Sequence, residues 1–71
     1  MIKIQIKNNL GKYRVWKNIT QEELSKELKI SVPSLRDIEV YNKYPKYQIR
    51  AKICKYFNVS QDQMFYYGEG E

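Results

Sequence analysis

Apolar residues recur at helical spacing in the middle of the chain, between residues 20 and 39. Leu24 and Leu28 lie four residues apart, so they would share one face of a helix. After a break, Leu35 and Ile38 repeat the pattern at a spacing of three. The pattern predicts two short amphipathic helices joined by a tight turn.

Capping residues mark where both of these helices begin. Thr20 suits the N-cap of the first helix, and Glu23, three residues on, completes a capping box. Ser31 suits the N-cap of the second, and Pro33 falls in its first turn, where a missing N–H costs no hydrogen bond. Ile30, in the turn, is predicted to pack between the two helices. This arrangement is a helix-turn-helix, the unit that lays its second helix in the DNA major groove.

The flanking segments predict the rest of a small fold. Residues 1–7 alternate isoleucine with polar residues, which is typical of a strand. A strand needs a partner, either the C-terminal residues 65–67 or the same strand of a second subunit. The remaining predicted elements are helices over about residues 10–18, 48–57 and 60–65, a loop over residues 40–47, and a frayed tail at residues 68–71. We therefore predict one all-α domain over residues 1–71, with five helices and a possible short N-terminal β-strand.

The positions of the charged residues along the chain are more informative about function than the net charge. The 71 residues include 13 Lys and Arg against 8 Asp and Glu, for a formal net charge of +5. Residues 1–18 and 41–56 contain basic residues and no acid, whereas the segment between them is mildly acidic. Two basic flanks suit a protein whose flanks contact phosphates while its centre contacts bases. Charge alone is equally compatible with a solvated basic surface that has no partner.

The composition argues against catalysis and against metal binding. The chain contains no histidine, which excludes Ser-His-Asp and Cys-His arrangements. One cysteine, Cys54, cannot build a structural zinc site without histidine partners. No glycine-rich phosphate loop is present. We expect no enzyme activity, no metal and no cofactor.

A cytoplasmic location is expected from the same features. A single cysteine excludes an intramolecular disulfide, which fits a reducing compartment. No apolar run reaches the length of a membrane span, and the N-terminus lacks the apolar core of a signal peptide. A DNA-binding protein in that compartment would be associated with the nucleoid.

Four sequence motifs together resemble the Cro/phage-repressor (XRE-type) helix-turn-helix family over roughly residues 8–67. They are TQEEL at residues 20–24, LKIS at 28–31, IE at 38–39 and FNVSQDQMF at 57–65. The resemblance implies a compact, repressor-like DNA-binding domain. The chain departs from the family pattern at Lys29, which replaces the glycine that the family usually has in the turn. A left-handed backbone there costs about 1 kcal/mol.

The resemblance implies roles for three polar residues outside the second helix. Gln21 matches the position at which the family hydrogen-bonds a DNA phosphate. Arg14 matches an arginine that contacts phosphate and pairs with the glutamate ending the recognition helix, here Glu39. As a solvent-exposed ion pair it would contribute only about 0–1 kcal/mol, so we expect it to orient the helices. The alternative is an unrelated surface arginine.

By the same resemblance, base contacts fall to the start and next turn of the second helix. Val32 and Pro33 stand where the family usually has polar residues, although Val32 can still touch a thymine methyl. Arg36 suits bidentate contact to guanine, and Asp37 either accepts from cytosine N4, braces Arg36, or remains solvated. Phosphate contacts are expected from nearby polar residues, namely Ser31, Ser34, Tyr41, Asn42, Lys43, Tyr44 and Lys46. Core or interface packing is an equal alternative for Tyr44.

The expected function is sequence-specific regulation of transcription. The resemblance and the small size imply a phage or mobile-element repressor that binds an inverted repeat of double-stranded DNA as a homodimer. The alternative is a module with the same fold that binds a partner protein and modulates another regulator. The apolar residues Val32 and Pro33 motivate that alternative. No membrane partner is expected.

Overall fold

The computed structural model describes residues 3–70, which form five helices and a pair of strands. In chain order these are β1 (Lys3–Asn8), α1 (Leu10–Trp16), α2 (Gln21–Leu28), α3 (Val32–Tyr41), α4 (Tyr47–Phe57), α5 (Gln61–Met64) and β2 (Phe65–Gly70). The mostly helical fold with an N-terminal strand is therefore confirmed. Within residues 3–70, no helix is long and apolar enough to cross a membrane.

The helix-turn-helix consists of α2 and α3, with the predicted caps at both helix starts. The Thr20 side chain accepts from the backbone N–H of Glu23, whose carboxylate accepts from the backbone N–H of Thr20. Ser31 caps α3 by accepting from the backbone N–H of Ser34. Lys29 ends α2 in the left-handed conformation, with φ 58°. The turn is therefore made without glycine.

The N-terminal strand finds its partner within the same chain. β1 pairs antiparallel with β2, from Asn8 opposite Phe65 to Lys3 opposite Gly70. Residues 68–70, predicted to belong to a frayed tail, are therefore part of a strand, and that prediction was wrong. Hydrogen bonding to β1 orders this segment, and a pairing so distant in sequence leaves no local pattern. Residues 1–2 of the predicted strand and residue 71 of the predicted tail lie outside the described residues.

Four helices differ from their predicted bounds. α1 ends at Trp16 instead of residue 18, because Asn18 adopts a positive φ of 57°. α3 continues past Glu39 to Tyr41, where Asn42 terminates it in the left-handed conformation. The predicted loop over residues 40–47 is shorter as a result, since α4 begins at its last residue. α5 covers Gln61–Met64 instead of residues 60–65, because Ser60 is its N-cap and Phe65 begins β2.

The core lies between the helices and is closed on one side by the strand pair. Its fully buried side chains come from α1, α2, α3, α4 and α5, namely Leu10, Leu24, Leu35, Ile53 and Met64. The strand pair contributes Ile6 and Phe65 to this core. Cys54 is also buried there, and loss of solvation raises the pKa of its thiol. The core thus fixes α3 on one face and leaves its other face free.

Candidate nucleic-acid interface

Helices α1, α2 and α3 meet at the carboxylate of Glu39. Arg14 of α1 donates from Nε to Glu39 Oε1 at 2.9 Å, and Gln21 of α2 donates from Nε2 to Glu39 Oε2. Arg14 also donates from Nη1 to the carbonyl of Ile19, at 2.8 Å, in the connection between α1 and α2. We call Arg14, Gln21 and Glu39 the junction. It holds the start of α2 against the end of α3.

The junction is more buried than the sequence indicated. The side chain of Glu39 is 8% exposed and that of Arg14 is 20% exposed. The expectation of a solvent-exposed pair was therefore wrong, because three helices close around the carboxylate. Gly11 makes this approach possible, since a Cβ at that position would lie 2.8 Å from Glu39 Oε1.

The four base-contact candidates lie along the free face of α3. Pro33 and Arg36 are exposed, while Val32 and Asp37 are partly buried. Within residues 3–70 the structure records no ion pair between Arg36 and Asp37, so the proposed bracing of Arg36 is not observed. Arg36 thus extends from the helix without a recorded protein partner in that range.

A groove beside the start of α3 brings several phosphate-contact candidates together. Its volume is about 580 Å³. Its polar lining comes from Ser31, Ser34, Lys43, Tyr44 and Lys46, and its apolar lining from Ile30, Ile38, Pro45 and Ile49. We call it the α3–α4 groove. Residues from the start of α3 and from the loop after it therefore present hydroxyl and ammonium groups in one place.

The remaining phosphate candidates lie outside the lining of this groove. Tyr41 is 69% exposed at the last turn of α3. Asn42 caps the C-terminus of α3, where its backbone N–H donates to the carbonyl of Asp37. Arg14 and Gln21 belong to the junction, and Arg14 Nη2 is the guanidinium nitrogen without a recorded bond to residues 3–70.

The Tyr44 ring packs on neighbouring side chains, while 48% of the residue remains exposed at the groove. Its ring makes an edge-on contact with Phe65, at 5.6 Å between centroids. The guanidinium of Arg50 lies 4.4 Å from the centroid of the Tyr44 ring. Arg50 also donates to the carbonyl of Pro45 at 2.6 Å and to Gln61 Oε1 at 3.1 Å. Arg50 therefore fixes the loop that carries Lys43 and Lys46.

Comparison with known proteins identifies the family of the helix-turn-helix formed by α2 and α3. A family model described as Helix-turn-helix matches residues 10–62, which is most of the chain. The chain belongs to the XRE-type helix-turn-helix family. It is also 36% identical over 66 residues to an uncharacterized HTH-type transcriptional regulator of Methanocaldococcus jannaschii. That alignment covers 93% of this chain and 100% of the relative.

In this helix-turn-helix protein, three residues near the candidate interface were not among those predicted from the sequence. Arg50 gave no signal beyond its basic charge. Asn8 donates from Nδ2 to the carbonyl of Ile38 at 2.7 Å, which ties the end of β1 to α3 across 30 residues. Val40 is 55% exposed on α3, one residue beyond the predicted end of the recognition helix. The sequence feature that indicates a longer α3 is the absence of a helix breaker between Glu39 and Asn42.

Proposed function

We propose that this protein is a sequence-specific DNA-binding regulator of transcription that inserts α3 into the major groove. The observation that carries the proposal is the exposure of Arg36 on the free face of α3, the second helix of the helix-turn-helix. A cation on the helix suits guanine, and the lysines and hydroxyls of the α3–α4 groove suit phosphates on the adjacent strand.

Base contacts in this proposal come from Val32, Pro33, Arg36 and Asp37. Arg36 binds guanine through two hydrogen bonds, Val32 and Pro33 make apolar contacts, and Asp37 accepts from cytosine.

Phosphate contacts come from two sides of α3. Ser31, Ser34, Lys43, Tyr44 and Lys46 act from the α3–α4 groove, and Tyr41 and Asn42 from the end of α3. Gln21 acts from the start of α2, where helix N–H groups lack partners and attract anions. Arg14 acts from α1, next to Gln21 in the junction.

The finer proposal is a small repressor of the phage or mobile-element kind. It would bind as a homodimer to an inverted repeat, with each α3 in the major groove about 34–36 Å from the other. Binding would then occlude a promoter. Family membership and the similar regulator of Methanocaldococcus jannaschii support regulation of transcription. The dimer and the inverted repeat are proposed because helix-turn-helix dimers bind two half-sites one helical turn apart.

A second candidate function is binding to a partner protein through α3. The apolar residues at the start of that helix, Val32 and Pro33, favour it, because such a surface also suits a protein contact. In that case the protein would modulate another regulator without binding operator DNA.

Selection from random double-stranded DNA, followed by a salt titration, tests the proposal. We expect one preferred sequence and a steep linear fall of log K with log salt, with a slope of about −0.9 for each neutralised phosphate. Lys43→Ala should flatten that slope and weaken all sequences alike. Lys55→Ala is the matched control, because Lys55 lines a separate groove with Glu27 and Tyr56 and should leave the slope unchanged. Absence of DNA binding at low salt would contradict the proposal and favour the protein-binding alternative.

A further inference from the structure

Helix α3 continues one turn beyond Arg36 and places Val40 on its free face. The helix ends at Tyr41, and the Val40 side chain is 55% exposed. Single exposed valines are common on protein surfaces, and exposure alone therefore assigns no role. The position of Val40 on the helix is what distinguishes it.

Val40 lies on the same side of α3 as the proposed base contacts. It follows Arg36 by four residues and Pro33 by seven, spacings that bring side chains to one face of a helix. Leu35 and Ile38 are buried on the opposite side. Val32 precedes Arg36 by the same interval at which Val40 follows it. The free face therefore presents a cation between two branched apolar side chains.

The major groove offers one apolar group to such a side chain. Each base pair presents hydrogen-bond donors and acceptors there, and thymine adds its 5-methyl group. Valine has no polar atom on its side chain, so contact with any other base edge would desolvate a polar group without replacing its hydrogen bond. Thymine is consequently the base that an exposed valine favours.

We infer that Val40 is a specificity-determining residue that contacts a thymine methyl beside the guanine bound by Arg36. The inference rests on the proposed function. Four helical residues rise about 6 Å, and successive base pairs are separated by about 3.4 Å. The thymine should accordingly lie within about two base pairs of that guanine. The preferred half-site thus includes a thymine that is contacted by Val40 and not by Val32.

Replacing each thymine of the selected DNA site by deoxyuridine, one position at a time, tests this inference. Deoxyuridine lacks the methyl group and keeps the other base-edge atoms. For the unaltered protein, we expect one position near the guanine to lose about fourfold in affinity, as burial of a single methyl implies. In Val40→Ala the same replacement should have no measurable effect. The effects of Val40→Ala and of the deoxyuridine replacement on the binding free energy are then not additive, which identifies a direct contact.

Val15→Ala is the matched control, because Val15 is 64% exposed on α1, outside the proposed DNA contacts. It should keep the full deoxyuridine profile of the unaltered protein. Thermal unfolding of both variants checks that an exposed substitution leaves the fold intact. If Val40→Ala binds the selected site with an unchanged deoxyuridine profile, the assignment of Val40 is wrong while the proposed function stands. Failure of the unaltered protein to select any sequence would overturn both.

Discussion

The two sides of α3 use polar groups in opposite ways. At the junction, Glu39 accepts hydrogen bonds from Arg14 and Gln21, and its side chain is 8% exposed. On the free face, Arg36 has no recorded ion pair within residues 3–70, and exposed Pro33 and Val40 lie on the same side. The polar residues of the junction are bonded to one another, whereas Arg36 on the free face remains available to a partner.

This difference separates stability from recognition within one helix. A buried carboxylate with two donors contributes to folding, because removing it leaves polar groups without partners. An exposed arginine contributes little to folding, since water solvates it equally well in the unfolded chain. Substitutions at the junction should therefore change the free energy of unfolding, and substitutions on the free face should change DNA binding.

The largest expected effect on folding comes from Glu39→Ala. It leaves the Arg14 guanidinium and the Gln21 amide without their acceptor in a partly buried place, so the free energy of unfolding should fall by about 2–3 kcal/mol. Urea denaturation measures this change. Glu39→Gln keeps a side-chain oxygen acceptor and should cost less. Glu27→Ala, an exposed acid on α2, is the control and should remain within about 0.5 kcal/mol of the unaltered protein. Equal effects of Glu39→Ala and Glu27→Ala would mean that the junction does not stabilise the fold.

Arg36→Ala should produce the opposite result. The free energy of unfolding should change by no more than about 0.5 kcal/mol, while discrimination against the wrong base at one position should fall by about 1–3 kcal/mol. Binding to the selected site and to single-base variants measures the loss. Lys43→Ala provides the contrast, since it should weaken every sequence alike. An unchanged base preference in Arg36→Ala would show that another residue reads the guanine.

The smallest expected effect concerns the start of α2. The backbone N–H and the hydroxyl of Thr20 stabilise the charged carboxylate of Glu23 and lower its pKa below the ordinary value of 4.5. A lowered pKa means that the stabilising contribution is present above about pH 4.5 and is lost as the pH falls through the pKa of the folded protein. Glu23→Gln should remove this part of the acid dependence, as followed by unfolding at pH 3 to 6.

The chain contains a natural comparison for that measurement. Ser60 and Gln63 form the same capping box at α5 with a neutral amide in place of the carboxylate. Gln63→Glu should therefore add acid dependence where Glu23→Gln removes it. Identical acid unfolding of Glu23→Gln and the unaltered protein would mean that the charge of Glu23 does not contribute.

Sequence patterns predicted the local structure closely. Thr20, Glu23 and Ser31 lie at the caps where they were expected, and Lys29 makes the turn in the left-handed conformation. These features depend on side chains bonding to backbone groups three residues away, so a linear pattern contains them. The family motifs added the partnership of Arg14 with Glu39, although its burial was not predicted.

What the sequence by itself determined was therefore the helix-turn-helix, its caps and the family to which the chain belongs. Tertiary structure decided that β1 pairs with residues 65–70, that Asn8 bonds to α3, and that Lys43 and Lys46 share a groove with Ser31 and Ser34. It also decided that the free face of α3 extends to Val40. These features join segments far apart in the chain or depend on where a helix stops, and residue spacing within one segment contains no information about such contacts.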